Sequence, residues 1–194
     1  MLNNRQSARL KEYNYSEPGA YFVTICTKNR ECIFGQITDV GTDLCVRPNP
    51  FTCPEMRLNE IGKIIDKWLK ELTHKFLSIQ IDESIIMPNH FHAVINITEP
   101  DMGTHAGVPL HRVIQWFKTM TTNDYFKYKK KKQCRGGPMC PPKKLWQRNY
   151  YEHVIRNEAD LQQIRQYIIN NPINWATDRN NPLNFRTCHV SLGK

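Results

Sequence analysis

Thirteen residues, IIMPNHFHAVINI at 85–97, restrict what this chain can fold into more than any other stretch. Met87-Pro88-Asn89 breaks a β-branched run, and a strand over 90–97 follows the break. Side chains of a strand alternate between its two faces. Phe91, Ala93, Ile95 and Ile97 therefore share one face, which is uniformly apolar and needs a core to cover it. His90, His92, Val94 and Asn96 share the other. Two imidazoles side by side on a strand form a ready pair of metal ligands, whereas on a helix they would diverge. The plain alternative is two incidental histidines on a half-buried strand. A centre with only two protein imidazoles keeps positions open for substrate oxygens. No third histidine and no carboxylate stands beside the pair in the sequence.

The rest of the chain supplies partners for that strand. Residues 20–28, AYFVTICTK, read as a strand, with Asn29-Arg30 turning into a short partner at 32–37. Residues 39–57 carry Gly41, Pro48, Pro50 and Pro54 and read as a loop. Ile61, Ile65, Trp68 and Leu72 predict a helix over 59–73, capped by Asn59. Leu77, Ile79 and Ile81 alternate with polar residues as a strand does. After a loop at 99–109, Leu110, Val113, Phe117 and Met120 are spaced for a second helix. Lys127–Arg135, ending in Gly136-Gly137-Pro138, reads as a mobile basic loop. Residues 146–155 are strand-like at their start, and 158–170 read as a last helix stopped by Pro172. No internal repeat is present. The expected class is α+β: an antiparallel sheet flanked by helices. A polar arm (1–19) precedes one domain (20–175), and a tail without pattern (176–194) follows it.

The charge balance, 27 basic against 18 acidic residues, is +9. Such a surface suits a polyanion, nucleic acid before anionic membrane, although it also serves plain solubility. The apolar runs are too short to span a bilayer, and the N-terminus lacks an apolar signal core. A soluble, cytoplasmic protein is expected, without membrane partners. The cysteines number seven, with no CxxC, so reduced thiols rather than a disulfide framework are expected. Cys134 and Cys140 flank a glycine turn and could hold zinc, at a spacing that is not that of a zinc knuckle. No phosphate-loop motif is present, so no nucleotide cofactor is expected.

Tyr167 and Asn171 lie four residues apart, on one face of the last predicted helix. A tyrosine can serve as a covalent nucleophile, and a metal would polarise a phosphodiester for its attack. An amide oxygen from Asn171 is an acceptable hard ligand to Mg²⁺ or Mn²⁺. An ordinary core tyrosine is the simpler alternative for Tyr167, and Tyr150 and Tyr151 compete with it as nucleophiles. Arg165, two residues earlier, points away from that face.

The His90-Phe91-His92 motif, followed by a helix carrying Tyr167 and Asn171, resembles the single-tyrosine HUH transposases. The segments RQSARLKEYNY and GAYFVTICTKNR near the start, IIMPNHFHAVINI in the middle, and LWQRNYYEHVIRNEADLQQIRQYIINNPINW near the end look most like the REP-associated tyrosine transposases. The resemblance covers most of the chain. It implies an antiparallel sheet with helices, of ferredoxin- or RRM-like build, with the histidines on a central strand. It implies that His90 and His92 bind a divalent metal, that Tyr167 attacks the phosphate, and that Asn171 is the third ligand. Related insertion-sequence enzymes usually carry glutamine there. Family members cut single strands folded into palindromic hairpins. They form a 5′-phosphotyrosine link, release a 3′-OH, and work as monomers or homodimers.

Candidate DNA contacts are Arg148 and Arg156, which flank WQRNYYEH, Lys129, Lys130, Lys131 and Lys132 in the charge run, and Arg5 and Arg9 in the arm. Trp146, Tyr150 and Tyr151 could stack on unpaired bases or belong to the core. Two other function classes fit parts of this pattern. One is a hairpin-binding module without catalysis. The other is a metal-dependent phosphoester hydrolase using water.

Overall fold

The computed structural model describes residues 17–39, 54–98, 108–133 and 144–185. Arg5, Arg9, Cys134 and Cys140 lie outside the described residues. In chain order the elements are β1 (Gly19–Cys26), β2 (Gly35–Asp39), β3 (Pro54–Leu58), α1 (Glu60–Lys75), β4 (Ile79–Ile86), β5 (His90–Ile97), α2 (Leu110–Gln133), β6 (Tyr151–Ile155), α3 (Glu158–Ile169) and α4 (Pro182–Phe185). Strands β4–β5–β1–β6 form one antiparallel sheet in that order, while β2 and β3 pair separately. The architecture is the antiparallel α+β class expected from the sequence.

The histidine strand, β5, is interior to the sheet, and its faces divide as the alternation requires. Phe91, Ala93, Ile95 and Ile97 join Tyr21, Val23 and Ile25 of β1 in the main core. That core is covered by Ile61, Ile65, Leu69 and Leu72 of α1 and by Leu110, Val113, Ile114 and Phe117 of α2. On the opposite face Val94 packs with Phe22, Ile155 and Ile168 of α3 in a smaller cluster. Both faces of β5 are thus covered by helices, which is why nearly every residue along it is buried.

Several segments differ from their sequence reading. The end of the 39–57 stretch, which Gly41, Pro48, Pro50 and Pro54 mark as a loop, instead belongs to β3 (Pro54–Leu58). Proline at a strand's first position costs no ladder bond, and β3 pairs with β2 from Asp39↔Pro54 to Gly35↔Leu58. The lysine run is not a loop as far as Gln133: α2 continues through it. Lysine is a good helix former, and Tyr125, Phe126 and Tyr128 on the same stretch pack against the core. The 146–155 segment is extended only at its end, as β6, while Trp146 makes an isolated bridge to Thr27. The tail's first ten residues, 176–185, are also structured, with a 3-10 turn at Trp175–Thr177 and the short α4.

The turn that precedes the histidines is held from outside the strand. Phe34 N–H donates to the Pro88 carbonyl at 3.0 Å and Thr27 N–H to the Asn89 carbonyl at 2.8 Å. The Phe34 carbonyl in turn accepts from Asn59 N–H, at the start of α1. Asn59 is the expected N-cap, its side chain accepting from Ile61 and Gly62 N–H at 2.9 and 3.0 Å. Gly62 lies directly on this junction: a Cβ there would stand 2.2 Å from the Phe34 oxygen. Alanine normally favours a helix over glycine by about 1 kcal/mol. Here the clash wins, because the obstructing atom is backbone. Gly62→Ala should lower stability by roughly 1–3 kcal/mol, read as an earlier urea midpoint at unchanged slope. An unchanged or later midpoint would show that Phe34 does not hold the turn rigidly.

Candidate active site

The two histidines are buried, and each is oriented by a hydrogen bond through Nδ1. Asn89 acts on His90. Its side-chain Nδ2 donates to the carbonyls of Arg30 (3.0 Å) and Asn180 (2.7 Å), so both amide protons are spoken for and its Oδ1 must face His90 Nδ1, 2.8 Å away. An amide oxygen only accepts, so Nδ1 of His90 carries the proton and Nε2 presents a lone pair. His92 Nδ1 lies 2.8 Å from the Thr24 hydroxyl, which stands opposite it across β1 and β5.

The two Nε2 atoms face each other at 3.0 Å. Burial, helped by Arg30 and Arg179, pushes His90 down to about 3. Burial also lowers His92, with further effects from His90 and Arg179. Both imidazoles are therefore neutral at physiological pH. Asp178 brings a carboxylate oxygen to 3.8 Å from His90 Nε2, and the ligand atoms of His90, His92 and Asp178 all lie within 4.8 Å of one another. The sequence reading saw no carboxylate beside the pair. Asp178 is distant in sequence, and only the fold of the 175–181 turn delivers it.

The tyrosine approaches from α3. Its hydroxyl is 3.4 Å from His92 Nε2, and its ring meets His92 edge-on at 5.2 Å. Phe22 stacks on His92 at 5.3 Å and also meets Tyr167 at 6.0 Å, so one aromatic side chain sets the spacing of both. Arg165 points to the other side of α3, making two 2.8 Å bonds to the Asp82 carboxylate on β4. Burial and Asp178 raise the Tyr167 phenol above its usual value, while a hydrogen bond from Asn171 and the charge of Arg179 pull the other way.

Asn171 lies just past the end of α3, whose C-cap is Asn170. It is buried, and its Oδ1 has no partner among the described residues. Tyr151, Tyr167, Asn171, Asp178 and Arg179 line a common cavity of about 430 Å³.

The remaining candidates are dispersed. Tyr151 lines the Tyr167 cavity, whereas Tyr150 and Arg148 line a separate groove against α2. Arg156 is exposed just after β6. Lys129, Lys130, Lys131 and Lys132 belong to α2, which packs on the sheet face opposite the histidines, so the structure does not bring them to the cavity. Trp146 is a core residue, its Nε1 donating to Thr121 at 2.9 Å. Sequence reasoning missed Asn89, Thr24, Asp178 and Arg179. The first two were legible in principle, as the polar residue beside the motif and the polar residue facing it. The last two sit in an unremarkable run of turn formers.

Comparison with known proteins bears on the family and the fold. The family described as "Transposase IS200 like" matches residues 51–171. An uncharacterised protein of Haemophilus influenzae is 36% identical over 185 residues, covering 92% of this chain and 93% of its own. Among solved structures, a REP-associated tyrosine transposase bound to a REP hairpin superposes with a TM-score of 0.54 at 18% identity, over 88% of this chain and 76% of that one. A transposase-like protein of Deinococcus radiodurans aligns at a TM-score of 0.43 and 15% identity, over 84% of this chain and 97% of that one. Family match and fold agree, and the chain belongs to the IS200-like transposase family.

Proposed function

We propose that this protein is a REP-associated tyrosine transposase that cleaves and rejoins single-stranded hairpin DNA through a 5′-phosphotyrosine on Tyr167. The observation that carries the reading is the 3.4 Å approach of the Tyr167 hydroxyl to His92 Nε2, beside a second imidazole 3.0 Å away. The solved relative of similar fold was captured on a REP hairpin, which supports the same class of DNA partner here.

The donor set fits a divalent cation. Asn89 leaves His90 Nε2 with its lone pair outward, and His92 Nε2 lies 3.0 Å from it. Asp178 adds a hard anionic oxygen, and the partnerless Asn171 Oδ1 is a second candidate oxygen. His90, His92 and Asp178 or Asn171 would hold Mg²⁺ or Mn²⁺, which when bound supplies Lewis-acid polarisation of the scissile phosphate.

The chain's own residues do the rest. Tyr167 Oη attacks phosphorus, the new P–O bond replaces the bond to the 3′-oxygen, and that oxygen leaves with a proton while the phenol gives one up. The step is neutral in protons and conserves the phosphodiester energy, so a 3′-OH can reverse it. The Asn171 hydrogen bond stabilises the phenolate as it forms. Phe22 and the Arg165–Asp82 pair keep the ring over His92.

Three experiments bear on this. A labelled hairpin incubated with protein and Mn²⁺ should yield a labelled protein band on a denaturing gel. The band should disappear with chelator and in Tyr167→Phe, which still binds the hairpin. An adduct surviving in Tyr167→Phe would move the nucleophile to Tyr151, which lines the same cavity. Asn89→Ala should weaken Mn²⁺ binding by about 10–100-fold in calorimetry, with circular dichroism confirming the fold. Unchanged affinity would remove Asn89 from the centre. Arg165→Ala should slow adduct formation about tenfold by loosening the tyrosine's aim, with little change in the urea midpoint. An unaltered rate would mean α3 is held by its apolar contacts alone.

A further inference from the structure

The turn at 175–181 lies beyond the residues matched to the family, yet it reaches into the centre. It is tied there by backbone atoms. Arg30 Nη1 donates to the Arg179 carbonyl at 2.7 Å, Asn89 Nδ2 to the Asn180 carbonyl at 2.7 Å, and Asn181 Nδ2 to the Trp175 carbonyl at 3.0 Å. The Arg179 side chain is not used in any of these bonds. It is exposed, lines the same cavity as Tyr167, and has no carboxylate partner among the described residues. Asp178, next to it, is the only acidic residue lining that cavity among the described residues.

A guanidinium without a counter-ion at the mouth of a cavity that holds a nucleophile is an anion site. Its planar fork of donors matches the two non-bridging oxygens of a phosphodiester. Asn174 and Thr177, which also line the cavity, offer neutral polar groups beside the arginine.

We propose that Arg179 is the phosphate-anchoring residue of the site, binding the non-bridging oxygens of the phosphodiester that Tyr167 attacks. This rests on the transferase reading for the identity of the DNA, and its test separates the two. Tyr167→Phe protein, which cannot form an adduct, is titrated with a palindromic DNA hairpin carrying a single-stranded 5′ flank, followed by fluorescence anisotropy. Arg179→Ala in that background should weaken binding about tenfold, and Arg179→Lys should recover part of it. The same titrations with one neutral methylphosphonate moved along the flank, linkage by linkage, should reveal one linkage at which Arg179→Ala no longer matters.

No binding, no loss in Arg179→Ala, or an equal loss at every linkage overturns the proposal. If the linkage-specific coupling appears but Tyr167-bearing protein never forms an adduct, the transferase reading fails and the anion subsite stands. If adducts form at the same rate and hairpins bind equally well with and without Arg179, the subsite fails and the transferase reading stands.

Discussion

The side-chain amide of Asn89 holds the site together. Three segments that are far apart in sequence meet on it: the turn after β1 through the Arg30 carbonyl, the 175–181 turn through the Asn180 carbonyl, and β5 through His90 Nδ1. The group is fully buried, so each bond is made in a low dielectric, where an unmet donor or acceptor costs the most. A carboxylate at this position could accept from His90 but could not donate to either carbonyl. A leucine of similar size would leave all three groups unmet. Among the twenty side chains only an amide gives two donors and an acceptor in this compact planar arrangement.

Much of this was readable beforehand, for reasons that differ by element. The period-two pattern of 90–97 is strong because both sheet faces make opposite demands on it. Asn59 and the α1 spacing were equally clear, as local chemistry that needs no knowledge of the rest. The lysine run misled because charge was read as solvation, although Tyr125, Phe126 and Tyr128 give it an apolar side. The glycine and prolines of 39–57 misled in the opposite sense, since the last of them, Pro54, is compatible with the first position of a strand. Asp178 and Arg179 could not have been found by spacing at all. Their proximity to His90 is produced by hydrogen bonds to backbone carbonyls, and carbonyls leave no mark on the sequence.

The electrostatics follow from burial. Two imidazoles forced into contact inside a protein stay neutral, because charging either one means desolvation, with repulsion from Arg30 and Arg179 at His90 and from His90 and Arg179 at His92. Neutral imidazoles are the form that ligates a cation. The same burial acts against the phenol, whose ionised form it disfavours together with the nearby Asp178 charge.

Phe91 lies between the two histidines, and its ring meets those of Phe117 and Trp146 in the main core at 5.0 and 5.9 Å. Successive residues thus carry, by turns, a site imidazole and the central ring of the core. The strand has no slack through which one could shift and spare the other. A loosening of packing around Phe117, on the far side of the sheet from the histidines, would change the distance between the imidazoles well before the chain unfolded.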